Sequence, residues 1–296
     1  MTEELETNEN VTSQPTEVLL TDLQKNYYQR DGFLVIKNFV PEDICRFLVQ
    51  HAMDLISHFN SDESKLSFST TTHEHANHDY FLGSGDKIRF FFEENVRDKH
   101  GNLVVDKQQA INKIGHALHD LDPVFNLFSR SHKIARLMNE LEIHHPLLVQ
   151  SMYICKQSFI GGEVTCHQDS TYLYTEGQPV TGLWFALEDA TLENGCLWAI
   201  PGGHHSPVKS RMLRDENNKI ATEFYDNSPW DLKKMIPLEV QRGSLIMLHG
   251  RLPHMSRENI SSRSRHAYTL HIISGDSHYA ENNWLQRASP FKGFNL

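Results

Sequence analysis

After His145 the apolar residues of this chain stop recurring at helical spacing and gather into short runs. That change of period limits the fold more than any other feature. The runs Leu147 to Gln157, Val180 to Leu187, Cys196 to Ile200, Ser244 to His249 and Arg265 to Ile273 read as strands, separated by Gly-, Pro- and Asn-rich turns. Ahead of His145 the period is mainly helical. Thr21 opens a helix with Gln24 placed for a capping box, and Asp31-Gly32 ends it before the short apolar strand Phe33 to Ile36. Pro41 starts a second helix, in which Ile44, Phe47, Leu48, Ala52, Leu55, Ile56 and Phe59 follow i, i+3, i+4 spacing. Residues 60–85 read as a long polar loop and Lys87 to Val96 as a strand. A turn at 98–102 precedes two helical segments, 107–129 and 131–142. Helices followed by many short strands predict an α+β, mainly β chain: a sandwich or barrel behind an N-terminal helical layer. Residues 1–19 lack apolar periodicity and are expected to form a disordered acidic tail. No repeat or linker divides the rest, so 20–296 is expected to be a single domain.

Charge and cysteine usage narrow the functional classes. Lys and Arg total 28 against 38 Asp and Glu, a net charge of -10, which opposes a dedicated nucleic-acid surface. No run of apolar residues is long enough to span a membrane. The acidic N-terminus is unlike a secretory or transit signal, and the C-terminal Gly293 to Leu296 is not Ser-Lys-Leu, so the cytoplasm is the expected compartment. Cys45, Cys155, Cys166 and Cys196 form no CxxC pair, which suits a reducing environment and argues against a zinc ribbon.

The motif with metal-binding chemistry is His167-Gln168-Asp169, in a turn that follows a strand. On an extended segment, side chains two residues apart point to the same side, so both can reach one ion. Alone the motif is weak: with 19 histidines in 296 residues, about one His-x-Asp arises by chance. Its context is stronger. The apolar strand Ser244 to His249 leads into a turn carrying His254 and Ser256, and Arg265 follows at the start of another strand. Two histidines and one carboxylate compose the facial triad of non-heme iron(II) oxygenases, which leaves three coordination positions for a 2-oxo acid and dioxygen. An arginine at a strand start suits the far carboxylate of that co-substrate, because a guanidinium holds a carboxylate bidentately.

His167-Gln168-Asp169, the stretch Trp184 to Ala190, the stretch Glu193 to His204 and His254-x-Ser256 with Arg265 occur in order with suitable gaps. Together they resemble the phytanoyl-CoA dioxygenase family over roughly residues 22–287. The resemblance implies a double-stranded β-helix (jelly-roll) core, Fe(2+) as metal and 2-oxoglutarate as co-substrate. It implies His167, Asp169 and His254 as metal ligands and the catalytic centre, with Arg265 and Ser256 on the distal carboxylate. It also implies that Lys113, expected on an amphipathic helix, and Met152, on an early strand, approach 2-oxoglutarate beside Trp184. Two departures are visible: Cys166 immediately precedes the first ligand, where it would be open to oxidation, and Gly203-His204 replaces Ser-His.

Other residues compete for these roles. His249 rivals His254 as third ligand, and Arg263 rivals Arg265 as carboxylate clamp. The cluster around His73, His75 and His78 and the turn residue His204 are candidates for contacting substrate. Lys209, Arg211 and Arg214 form the basic run best suited to an anionic substrate. The expected activity is hydroxylation of a small, hydrophobic or acyl substrate with release of succinate and CO2. A CoA thioester is not assigned, because its phosphates sit poorly with a net acidic chain. The alternatives are a metal-dependent hydrolase or isomerase using the same ligands, and a catalytically silent jelly-roll binding protein.

Overall fold

Thr21 caps the helix Asp22–Asp31 through a reciprocal capping box with Gln24, and Gly32 closes it in the left-handed conformation. Just ahead, the Glu140 carboxylate accepts hydrogen bonds from the backbone N–H groups of Leu19 and Leu20. The structure, a computed structural model, describes residues 18–61, 66–68, 76, 78–94 and 96–294. The expected disordered tail therefore falls, for residues 1–17, outside the described residues. The helix Glu42–His58 buries Cys45, Leu48, Ala52 and Ile56, a stripe at helical spacing. Ile44 and Phe47, expected on that stripe, face solvent instead, and Phe47 stacks on His51. Among the described residues no helix is long and apolar enough to cross a membrane.

Seven antiparallel strands build the larger sheet. Their spatial order is Phe33–Ile36, Leu245–His249, Thr181–Ala186, Arg265–Ile273, Leu147–Lys156, Ile111–His116 and Ile88–Phe92. Opposite lies a sheet of four: Ile236–Leu238, Leu197–Ala199, His254–Ser256 and Val164–His167. Side-chain alternation assigns the two faces of the larger sheet. Leu183, Phe185, Tyr268 and Leu270 pack outward on helix residues such as Leu48, Phe125 and Leu137. Trp184, Ala186, Ile246 and Ala267 turn inward to Leu197, Ala199 and Leu238 of the smaller sheet. Each such buried Leu, Ile or Phe contributes about 1.5–3 kcal/mol. The jelly-roll core with a helical layer on its outer face is thus the architecture expected from the sequence.

The segment 107–129 departs from its helical reading. Helices Lys107–Ala110, Leu118–Leu121 and Pro123–Ser129 are short, and a strand, Ile111–His116, runs between the first two. Ile111, Ile114 and Leu118 share helical spacing, but all are wholly buried and the segment pairs on both sides, with Ile88–Phe92 and Leu147–Lys156. Tertiary pairing overrides the local period there. Lys113 consequently sits on a strand, opposite Phe91 and Ile154, and not on an amphipathic helix.

Candidate active site

His167 ends the strand Val164–His167 and stands directly opposite His254 on the neighbouring antiparallel strand. Their rings are 4.3 Å apart. Each imidazole is fixed by its own backbone: Nδ1–H of His167 donates to Thr165 O at 2.8 Å, and that of His254 to Leu252 O at 2.9 Å. That leaves both Nε2 lone pairs free to bind a metal, the usual orientation of a ligating histidine. Asp169 comes from the 3-10 turn that follows, and the intervening Gln168 locks the turn. The Gln168 amide donates to Arg251 O at 2.8 Å, and its carbonyl accepts from Lys209 N at 3.0 Å.

Asp169 Oδ1 lies 3.7 Å from His167 Nε2 and 3.6 Å from His254 Nε2. The three ligand atoms lie within 4.8 Å of one another, the one such group of His, Cys, Asp or Glu among the described residues. One ion with bonds of about 2.0–2.2 Å reaches all three after slight contraction. The electrostatics agree. Burial opposes ionisation of Asp169, but the His254 and His271 imidazoles and the bond with His167 hold its carboxyl well below the ordinary range. Burial pushes His254 down to about 4 despite the pull of Asp169, so it is a neutral ligand at neutral pH. Two imidazoles and one carboxylate suit iron(II) with positions left open.

The group opens into a cavity of about 180 Å3. Its walls include Phe68, Phe81, Leu173, Met212 and Trp284, together with Lys113, Met152, Trp184, Ser256 and Arg265. Arg265 is only 1% exposed; its Nε donates to Gly195 O at 3.2 Å, while the buried Nη1 has no hydrogen-bond partner among the described residues. Its guanidinium lies 5.3 Å from the Trp184 ring centroid. Burial lowers its pKa to about 10, so it stays charged. Lys113 is buried with its ammonium 3.2 Å above the Phe68 ring, and desolvation alone drives its pKa well below the ordinary lysine value. Ser256, buried, lies on the strand that begins at His254.

Several cavity residues had no motif to announce them: Glu93, Gln150, Lys156, Thr269 and His271. Alternation would have found some of them. Arg265, Thr269 and His271 share one face of their strand, as Gln150, Met152 and Lys156 share one face of theirs. The rival candidates fall elsewhere. His249 ends its strand packed on His204, 4.8 Å between ring centroids, and His204 Nε2 bonds Gln29 O at 3.0 Å; neither lines the cavity. Arg263 is exposed in a loop. His78 caps the short helix Asp79–Leu82, whereas His73 and His75 lie outside the described residues. Cys166 is half-buried, and burial pushes its thiol up to about 12, which disfavours the reactive thiolate.

A two-sheet antiparallel barrel with two histidines and an aspartate converging between its sheets defines the class of jelly-roll, 2-His-1-carboxylate oxygenases. Solved structures share the fold. The non-heme alpha ketoglutarate dependent carbocyclase SnoK superposes with a TM-score of 0.63 at 16% identity, over 94% of each chain. EctD from S. alaskensis, solved with 2-oxoglutarate and 5-hydroxyectoine, gives 0.63 at 17% identity over 97% of this chain and 89% of that one. The family model described as Phytanoyl-CoA dioxygenase (PhyH) matches residues 28–267. A phytanoyl-CoA dioxygenase of Arabidopsis thaliana is 45% identical over 271 residues, covering 91% of this chain and 94% of that one. Phytanoyl-CoA dioxygenase domain-containing protein 1 of Bos taurus is 45% identical over 277 residues, covering 90% and 95% respectively. The chain belongs to the phytanoyl-CoA dioxygenase family, alongside its domain-containing protein 1 members. Membership and triad together make it an iron(II)- and 2-oxoglutarate-dependent dioxygenase acting on a small substrate.

Proposed function

We propose that the chain hydroxylates a C–H bond of a small, hydrophobic or acyl molecule while 2-oxoglutarate and O2 are converted to succinate and CO2. The observation that carries this reading is Arg265, a buried guanidinium with an unpartnered Nη1 in the same cavity as the triad. A 2-oxo diacid has a second carboxylate for it; a hydrolase or isomerase using the same three ligands has no use for it.

In this reading His167, Asp169 and His254 hold iron. The bound metal supplies the open positions for 2-oxo acid and oxygen and the oxidising chemistry. The protein's side chains do the rest. Arg265 grips the distal carboxylate with its free N–H, and Ser256 donates a hydroxyl beside it. Lys113, desolvated and set among aromatic rings, gains an anion when 2-oxoglutarate binds. Met152 and Trp184 flank the co-substrate. Phe81, Leu173, Met212 and Trp284 keep water out and offer an apolar surface to the substrate.

A CoA thioester is disfavoured on charge. The basic run at 209–214 is spent internally: Lys209 on Asp226 and Ser228, Arg211 on Asn282, and Arg214 on the carbonyls of Trp284 and Leu82. A molecule without phosphates is the better occupant. Residues 20–296 act as one domain in this reading, and the free cysteines, three of them buried, fit a cytoplasmic setting.

The test is 2-oxoglutarate turnover by purified, iron-loaded protein against a metabolite extract, watching for a product that gains one oxygen atom. Asp169→Ala should abolish succinate formation, and turnover surviving that change would remove the triad assignment. Activity that persists without O2 and 2-oxoglutarate would instead establish the hydrolase or isomerase. A silent binding protein would form no succinate with any extract.

A further inference from the structure

The cavity runs along the inner face of the strand Leu147–Lys156, and its two ends differ. At one end Lys156 stands opposite Arg265, the guanidinium assigned to the co-substrate. At the other, Ser151 stands opposite His116, whose ring lines the cavity. The two positions are five residues apart, about 17 Å along an antiparallel strand. The His116 end is closed by an aromatic wall. Phe81 and Trp284 stack with ring centroids 4.4 Å apart, and the His116 ring lies 5.8 Å from the first and 5.2 Å from the second. Met212 joins Phe81 and Trp284 in one buried apolar cluster. These wall residues come from segments remote in sequence: the short helix Asp79–Leu82, the hairpin strand Ser210–Arg214 and the C-terminal stretch beyond Tyr279.

One side chain ties the three segments together. Arg214 Nε donates to Trp284 O at 2.6 Å, and Nη2 donates to Leu82 O, also at 2.6 Å. Nη1 donates to Asn218 Oδ1 at 2.8 Å, across the turn of its own hairpin. The backbone adds a further tie, from Arg214 N to Asn282 O at 2.8 Å. Leu82 ends its helix, so its carbonyl has no partner within the helix. Leu82 and Trp284 are both buried, and a buried carbonyl that loses its donor is costly. A planar guanidinium can serve three acceptors at fixed angles; an ammonium on a flexible stem cannot. Met212 lies two residues before Arg214 on the same strand, so the clasp and the wall share one side of it. We propose that Arg214 is a positioning residue that fixes the closed end of the cavity, and that this end limits the substrate to a short apolar molecule. The proposal rests on the dioxygenase reading and narrows its substrate class. A long acyl chain that reaches the triad and points away from Arg265 would run into the Phe81–Trp284 stack.

Arg214→Met removes the fork and keeps the bulk of the stem. Arg214→Lys keeps the charge as well, and carries the test if the methionine variant does not fold. Circular dichroism of the full-length chains checks folding. Acrylamide quenching of Trp284, read as the difference between each protein and its Trp284→Phe counterpart, reports whether the wall has parted. Quenching should be slight in wild type and severalfold stronger in both variants. Co2+ affinity should stay within about threefold of wild type, because no support of a metal ligand is removed. The chains loaded with Co2+ and 2-oxoglutarate are then offered 4-fluorotoluene and 4-fluorobiphenyl, with binding read from the fluorine relaxation that nearby Co2+ causes. Buried area alone favours the larger probe. Wild type should nevertheless prefer 4-fluorotoluene by about fivefold or more, because forcing a second ring against a packed wall is unfavourable. The preference should shrink or reverse in both variants. A wild-type chain that fails to bind Co2+ would sink the dioxygenase reading, while the quenching result still judges the clasp. Unchanged quenching or an unchanged probe preference in the variants overturns the role of Arg214. So does a loss of Co2+ affinity of about tenfold or more, which would make Arg214 a support of the metal site. A wild type that prefers 4-fluorobiphenyl, or binds neither probe, overturns the substrate class.

Discussion

A carbon atom added to Gly182 would meet Asp169 Oδ2 at 2.9 Å, closer than real side chains approach one another. Gly182 also sits opposite Leu248 in the sheet and would meet its Cβ at 3.5 Å, so the added atom has no retreat. The glycine is needed there for space beneath a metal ligand, not for backbone conformation.

Gly182→Ala should therefore push Asp169 off the axis it shares with His167 and His254. Metal affinity is expected to fall about 10–100-fold, the range typical when the support of a ligand is disturbed. The thermal transition of the metal-free protein should change by far less than the metal site does. Titration with Co2+ alongside a melting curve checks both halves, and wild-type affinity in the variant would show that Asp169 has slack.

Arg265→Lys keeps the charge but replaces a planar fork with a point donor. Its Nε bond to Gly195 O disappears with it. The KM for 2-oxoglutarate should rise about 10–100-fold, matching the loss of one charge-assisted bond of about 1.5–3 kcal/mol. Initial-rate measurements over a range of 2-oxoglutarate decide it; a kcat effect without a KM effect would place Arg265 elsewhere in the chemistry.

Lys113→Met removes a desolvated ammonium that lies over the Phe68 ring. The apo protein should gain stability on the order of 1 kcal/mol, or about 2–4 °C in Tm. Affinity for 2-oxoglutarate should fall in the same variant. Stability rising as co-substrate binding weakens is the signature to look for in paired melting curves with and without 2-oxoglutarate. A destabilised apo variant would mean that packing, not charge, is what Lys113 provides.

His119 contributes to the pH dependence of the apo fold. It is wholly buried, its Nδ1 2.8 Å from Ser151 Oγ, and burial lowers its pKa from the ordinary 6.5 to about 3. In the unfolded chain the same imidazole takes a proton near 6.5, so between 6.5 and 3 the unfolded state holds more protons than the folded one. Stability must then fall as pH drops through that window, by at most about 1.4 kcal/mol per pH unit from this group. Urea unfolding of metal-free protein at several pH values measures the slope. His119→Asn should make it shallower, and an unaltered slope would assign the effect to other histidines such as His249 and His254.

Much of the site could be read in the chain because its ligands lie at strand ends that the apolar runs already mark. His254 comes one short turn after such a run, Arg265 opens another, and the paired His167 and Asp169 need only one turn. Lys113 shows what local pattern misses. Ile111, Ile114 and Leu118 repeat as a helix would, and only the two flanking strands, remote in sequence, turn that segment into sheet. His271 was hidden for a different reason: the residue it approaches, Asp169 at 3.3 Å, lies about 100 residues earlier, and no spacing rule links them. The outer helix Glu42–His58 was legible with most of its buried stripe, Leu48, Ala52 and Ile56; Ile44 was misplaced because Cys45 is apolar enough to take its place in the core.

The place of the strand Arg265–Ile273 bears on how the molecule is made. It is the final long strand in sequence, yet it lies at the middle of the larger sheet, between Thr181–Ala186 and Leu147–Lys156. Until it emerges from the ribosome, those two strands have no partner on their facing edges, and unpaired hydrophobic edges invite association with other chains. The same strand carries Arg265 and His271. A nascent chain therefore passes through a sticky interval in which the triad residues exist but Arg265 and His271 do not, and the interval closes only when the sheet's centre is filled.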